Sequence, residues 1–235
     1  MKVEFFHDVI CSFCFPMSYR MRKVAEKYPR LEITHRSFAL GWEKEQFIQT
    51  FGSHEAVKPE VLGHWEQANK NDDLARFNIE GMKSKDFLFP TSKNGLLAAK
   101  AAGLSQGQDA YWTVFDALQH ALFVENKDIS NLSVIEDTVR QTSVNFDQWK
   151  VQFNQKETEQ AVLEDLKIVK NYGIQGAPAI VVEGKYLISG AQPQEVIEET
   201  LEKIAKEEGL QLKGLQLIGG DSDACRIVDG NWQCD

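Results

Sequence analysis

No apolar stretch in this chain approaches the ~18 uninterrupted residues that a membrane-spanning helix needs. The N-terminus also lacks a basic segment followed by an apolar run and a small-residue cleavage site, so no secretory leader is expected. Positive charge is in short supply: 26 Lys and Arg stand against 35 Asp and Glu, a net charge of −9. Nucleic acid and anionic membrane surfaces require a basic patch, so neither is expected as a main partner. Cysteine is scarce too. Four in 235 residues are too few for a disulfide-stapled secreted scaffold, and the simplest location is the cytoplasm. Internal repeats, low-complexity tracts and Pro/Gly/Ser-rich linkers are all missing. What remains is an ordinary globular composition, long enough for one large domain or two small ones.

The four cysteines are clustered, two at each end, which makes them look like working pairs. Cys11-Ser12-Phe13-Cys14 follows the apolar run Val3-Glu4-Phe5-Phe6-His7 and precedes a helical stretch from Tyr19 to Tyr28. At a strand-to-helix junction, backbone N–H groups and the helix dipole stabilise a thiolate on Cys11, the exposed member of the pair. Cys14 lies about one turn later, more buried and within bonding distance. Two thiols so held can exchange with disulfides elsewhere, and the spacing reads as a thioredoxin-like redox motif. Half of a four-cysteine zinc site, or two inert buried thiols, are the blander alternatives. His7 and Asp8 are near enough in sequence to tune the site.

Residues 2–7 read as a strand. The helix after the motif runs to Tyr28, where Pro29 ends it, and Pro16 fits only in its first turn. Leu31 to Phe38 alternates apolar and polar with period two, a second strand. Glu60–Arg76, Ser92–Ala102, Gln108–Phe123, Ser133–Thr142 and Phe146–Tyr172 carry helical spacing, with Ser133 and Asp147 placed to cap helices. Strand character returns at Pro178 to Val182, turns at Glu183-Gly184-Lys185 and comes back through Tyr186 to Ser189. Pro193 opens a last helix and Gly209 ends it. The order β-α-β, helical block, β-β-α predicts an α/β thioredoxin fold with a large inserted all-α domain. Residues 1–45 and 172–208 form the thioredoxin-like part, 46–171 the insertion and 209–235 a tail.

Two further features carry chemistry. Gly176-Ala177-Pro178-Ala179 precedes the third strand, where a proline that cannot donate to the ladder is tolerated. In the tail, Asp229-Gly230 is a strong hairpin turn. With it, the pairs run Val228–Asn231, Ile227–Trp232, Arg226–Gln233 and Cys225–Cys234. The cysteines then form a non-hydrogen-bonded pair, within disulfide reach. They read as a local staple, or as a second redox pair exchanging with Cys11–Cys14. All four cysteines on one zinc is a further alternative.

The opening Phe5-Phe6-His7-Asp8-Val9-Ile10-Cys11-Ser12-Phe13-Cys14-Phe15 resembles the start of the DsbA-like thioredoxin family, in its FrnE-like, predominantly cytoplasmic branch. Gly173-Ile174-Gln175-Gly176-Ala177-Pro178-Ala179 is similar to the family's Gly-Val-x-Gly-Val-Pro-x segment, and Gly190-Ala191-Gln192-Pro193 to its Gly-Ala-Gln turn. The resemblance covers residues 1 to about 208. It implies a thiol–disulfide oxidoreductase acting on protein or peptide disulfides, with glutathione or a thioredoxin-type protein as reductant. Cys11 and Cys14 would be catalytic, with Ala177, a cis Pro178, Ser12 and Phe13 facing substrate. It implies no cofactor and no metal. Ser12-Phe13 stands where the branch usually has Pro-Trp, so redox potential does not transfer. Ala177 replaces the usual Val. Kappa-type glutathione transferases and an isomerase relative share the fold but use a serine nucleophile, and a non-enzymatic redox-sensing or zinc-binding adaptor of the same shape is the remaining alternative.

Overall fold

Lys2–His7 forms β1, the strand on which the molecule is organised, and it is apolar enough to be buried on both faces. The computed structural model describes residues 1–212 and, near the C-terminus, the backbone of Cys225–Val228 (β5) and Asn231–Cys234 (β6). A helix, α1 (Cys14–Lys27), crosses from β1 to β2 (Glu32–Ser37), which pairs parallel to it in the register Phe5 to His35. On the other side of β1 lies β3 (Ala179–Val182), antiparallel, and beyond it β4 (Tyr186–Ser189), giving the order β2-β1-β3-β4. The β3–β4 turn puts Glu183 and Gly184 at φ 52° and 65°, the left-handed pair of a primed hairpin turn.

Alternation along β1 sorts the core. Val3 and Phe5 pack with Met17, Met21 and Val24 of α1 and with Ile197, Leu201 and Ile204 of α10 (Gln194–Glu208). Phe6 points to the opposite face, with Ala179, Val181, Val169 and Ile174. Pro193 caps α10 and Gly209 closes it at φ 66°.

Between β2 and β3 the chain is helical: α2 (Lys44–Phe51), α3 (Val57–Asn71), α4 (Ile79–Lys83), α5 (Lys93–Gln106), α6 (Gln108–Phe123), α7 (Leu132–Arg140), α8 (Phe146–Phe153) and α9 (Lys156–Tyr172). Four sequence expectations change here. The helix read as Phe146–Tyr172 is two. Asn154 Nδ2 donates back to the Lys150 carbonyl and Thr158 Oγ1 to the Gln152 carbonyl, acceptors that a continuous helix would have used itself. The third helix stops at Asn71 rather than Arg76, because the Asp72 carboxylate accepts the Arg76 N–H at 2.8 Å in place of a backbone carbonyl. Asn131 and Asn145 cap α7 and α8, not Ser133 and Asp147. The short α2 and α4 carry one buried side chain each, Phe47 and Met82, too little for a periodic signal.

The largest apolar cluster contains Cys11 and Cys14 themselves. It draws Leu62 and Trp65 from α3, Leu96 and Ala99 from α5, and Phe115, Leu118 and Leu122 from α6. Among the described residues no helix is long and apolar enough to cross a membrane.

Candidate functional site: a buried dithiol beside a carboxylate

The chain leaves β1 through a turn that Asp8 builds. Its Oδ1 accepts the Ile10 N–H at 3.2 Å, and its carbonyl accepts the Cys11 N–H at 3.1 Å. Cys11 is thereby set three residues before the first residue of α1. The Cys14 N–H donates both to the Cys11 carbonyl (3.1 Å) and to Cys11 Sγ (3.2 Å). A helix-terminal N–H aimed at a sulfur favours negative charge there. From the other side, Cys11 Sγ–H donates to the Ala177 carbonyl at 3.5 Å, and the Ala177–Pro178 bond is cis. Pro178 is buried and Ala177 partly so.

Both cysteines are free thiols. Cys14 is fully buried, and desolvation, then its hydrogen bond to Cys11 and the charges of Cys11 and Asp8, push its thiol well above the ordinary range. Cys11 differs from expectation: only 3% of its surface is exposed. The chain folds Ala177 over it, and α6 reaches its backbone through Gln119, whose Nε2 donates to the Asp8 and Cys11 carbonyls at 3.3 Å each. Ser12 is buried, and Phe13 packs against the apolar cluster that holds the cysteines. Sequence reasoning had no signal for Gln119, which lies 108 residues from Cys11.

Asp8 matters more than its place beside the motif suggested. It is wholly buried, and its Oδ2 accepts from Leu40 N–H at 2.7 Å and Ser92 Oγ–H at 2.6 Å. Desolvation outweighs these donors and raises its carboxyl to about 6. Its charge acts on the Cys14 thiol, adding to the rise that burial imposes. A carboxyl that titrates near neutrality beside a buried thiol is suited to exchanging a proton with it.

His7 packs elsewhere. Its Nε2 meets His35 Nδ1 at 3.2 Å, and both rings stack against Tyr111. Desolvation lowers both imidazoles, His35 to about 3, so the pair is neutral.

The tail cysteines are described only in backbone. β5 and β6 pair antiparallel with Cys225 opposite Cys234 and Ile227 opposite Trp232, the register expected from the sequence. The Asp229-Gly230 turn and the two sulfurs lie outside the described residues, as do residues 213–224. Among the described residues no cluster of His, Cys, Asp and Glu could hold a metal.

Residues 2–202 match the model of the DSBA-like thioredoxin domain family. Among solved structures, the chain is similar to a candidate protein disulfide isomerase from Nitrosomonas europaea (TM-score 0.71, 20% identity, 88% of this chain and 98% of that one). It is also similar to the cytosolic disulfide reductase DsbM from Pseudomonas aeruginosa solved with GSH (0.67, 14%, 86% and 100%). A candidate DsbA oxidoreductase from Streptomyces coelicolor matches at 0.60 and 20%, over 99% and 98%. At these identities the likeness is one of fold. No curated protein matches by sequence.

Proposed function

The chain belongs to the DSBA-like thioredoxin domain family, and from that premise we propose that it is a thiol–disulfide oxidoreductase acting on protein disulfides through Cys11 and Cys14. The observation that carries this reading is the setting of Cys11 Sγ, with the first N–H of α1 at 3.2 Å and the Ala177 carbonyl at 3.5 Å. Cys11, as thiolate, attacks one sulfur of a substrate disulfide. That S–S bond breaks, one substrate sulfur leaves as thiolate and the other stays bonded to Cys11. Cys14 then gives its proton to the Asp8 carboxylate and attacks Cys11 Sγ. The second substrate sulfur leaves, the substrate has gained two electrons, and Cys11–Cys14 is a disulfide. Run in reverse, the same steps oxidise a dithiol. Ala177 and Pro178 flank the entering chain, with Ser12 and Phe13 on the other side.

The finer reading is a FrnE-like, cytoplasmic enzyme, on the strength of Asp8-x-x-Cys11 and the segments at 173–179 and 190–193. Glutathione or a thioredoxin-type protein would return the disulfide to the dithiol; the fold neighbour DsbM, named as cytosolic, was solved with GSH. The retention of both cysteines favours this over a serine-based transferase.

Insulin turbidity with single variants tests the assignment. Cys11→Ser should abolish reduction, and Cys14→Ser should trap mixed disulfides. Wild-type activity in both variants would overturn it. Because Asp8 accepts a proton only when charged, single-turnover resolution should slow as pH falls below about 6. Asp8→Asn should stall resolution and flatten that dependence; an unaltered pH profile in this variant removes Asp8 from the mechanism.

A further inference from the structure

Ser92 occupies the N-cap position of α5, yet its hydroxyl does not cap the helix. A serine placed there ordinarily accepts an N–H of the first turn. Here the side chain serves the redox site instead. Its O–H donates to Asp8 Oδ2 at 2.6 Å, across 84 residues of sequence, and its Oγ accepts the Gly41 N–H at 3.2 Å. The backbone repeats the tie, with the Ser92 N–H donating to the Gly41 carbonyl at 2.8 Å. Gly41 is itself fixed from outside, because a Cβ there would run into the Phe47 ring. With the Gly41 N–H on its oxygen, the Ser92 hydroxyl is left to act as donor to the carboxylate. Ser92 is fully buried, so bulk solvent does not compete for that bond.

The two oxygens of Asp8 are therefore unlike. Oδ2 holds two short bonds, from the Leu40 N–H at 2.7 Å and from Ser92 at 2.6 Å. Oδ1 holds a longer one, from the Ile10 N–H of the redox turn at 3.2 Å. A proton on Oδ2 would point at two donors, one of them a backbone N–H that cannot turn away. We propose that Ser92 is a positioning residue for the resolving step: by filling Oδ2 it directs the proton leaving Cys14 to Oδ1, and it holds the carboxylate charged to receive that proton. The inference rests on the Asp8 step of the oxidoreductase reading and adds the residue that sets it. A hydrogen bond to the ionised form favours that form, and against the desolvation of Asp8 the Ser92 hydroxyl is the largest opposing influence. The titratable groups that face Asp8 supply no positive charge. Cys11 is bonded to substrate at this step, and burial keeps the Cys14 thiol and the Tyr111 phenol of α6 protonated. His7, beside Asp8 in the chain, is held neutral. Lys93, which follows Ser92, is bound to Glu43 and Glu159 at 3.0 Å each.

The test is stopped-flow reaction of the pre-reduced, full-length protein with dithiobis-nitrobenzoate, whose two coloured thiolates leave one after the other. The first release reports attack by Cys11, the second resolution by Cys14. In the wild-type protein the second phase should slow below about pH 6. In Ser92→Ala its midpoint should rise by about one pH unit, the effect of losing a hydrogen bond to a charged group, so that resolution near pH 5 is about tenfold slower. Ser92→Gly removes the same hydroxyl, is tolerated at a helix N-cap, and should give the same shift. An NMR titration of the Asp8 carboxyl in these variants reads that shift without turnover. In an Asp8→Asn background, Ser92→Ala should leave the second phase unchanged. A midpoint that stays at the wild-type pH in both variants, or an equal slowing in the Asp8→Asn background, overturns the inference and leaves Asp8 in its role. If Asp8→Asn alone leaves the pH profile unaltered, the Asp8 step itself fails and this inference falls with it.

Discussion

His35 shows how one buried group writes itself into the pH dependence of the whole fold. It is 2% exposed, shares a hydrogen bond with His7, and lies between Tyr111 and Trp112. Burial holds its imidazole neutral, down to about 3, whereas in the unfolded chain it takes a proton near pH 6.5. A histidine with a depressed folded value contributes stability that is complete above the unfolded value and is lost as pH falls through it. Between pH 6 and 5 each such group costs about 1.4 kcal/mol of unfolding free energy per pH unit. Asp8 works the other way, because its folded value of about 6 lies above its unfolded one and folding is favoured by its protonation. The histidine contribution is therefore isolated by a variant. In His35→Asn, whose amide reaches the position of Nδ1, the wild-type advantage in urea unfolding should shrink by about 1.4 kcal/mol per pH unit over that range. An advantage that does not move with pH would mean that His35 is not neutral and desolvated in the fold.

At the scale of elements, β1, α1, β2, the β3–β4 hairpin and α10 were all legible in the sequence, because each announces itself by period or by punctuation. Phe5 and Phe6 fill both faces of one strand, Pro16 falls in a first helical turn, and Gly209 takes a left-handed C-cap. The break at Asn154 was not legible, since it depends on side chains outbidding the backbone for carbonyls. Nor was the depth of Cys11, or Gln119 above it, since both follow from how α6 packs over a turn far away in sequence. Gly95 sits between these cases. A glycine inside α5 weakens a helical reading, yet it belongs there because Val9, two residues before Cys11, packs where a side chain would be: a Cβ would meet Val9 Cγ2 at 2.6 Å. Gly63 inside α3 has open space instead. Gly63→Ala should stabilise the protein by up to about 1 kcal/mol. Gly95→Ala should destabilise it, overpacking of roughly 1–3 kcal/mol exceeding the helix gain. Urea midpoints for the two variants check this, and a stabilising Gly95→Ala would contradict the packing of α5 on the redox turn.

The scale of the whole molecule brings in the second pair of cysteines. Backbone pairing sets Cys225 opposite Cys234, and antiparallel neighbours at such a position are within disulfide reach. A bridge between them closes a loop so short that it removes little entropy from the unfolded chain, which makes a stabilising staple a weak explanation. A pair that is easily reduced suits exchange with Cys11–Cys14 better. Leu212 is buried in the core beside α10, so any reach comes from the twelve residues 213–224, which span at most roughly 40 Å when extended. We therefore expect a Cys225–Cys234 disulfide in the oxidised protein that opens at weaker reductant than a buried bridge would. Cys225→Ser should shift the Cys11–Cys14 equilibrium in a redox titration, or slow the recycling of that pair. Thiol trapping followed by peptide mapping reads the first outcome directly. Cys225 and Cys234 found bound to zinc, or still free after oxidation, would end the relay; Cys11 and Cys14 would keep their assignment unless the same zinc held them as well.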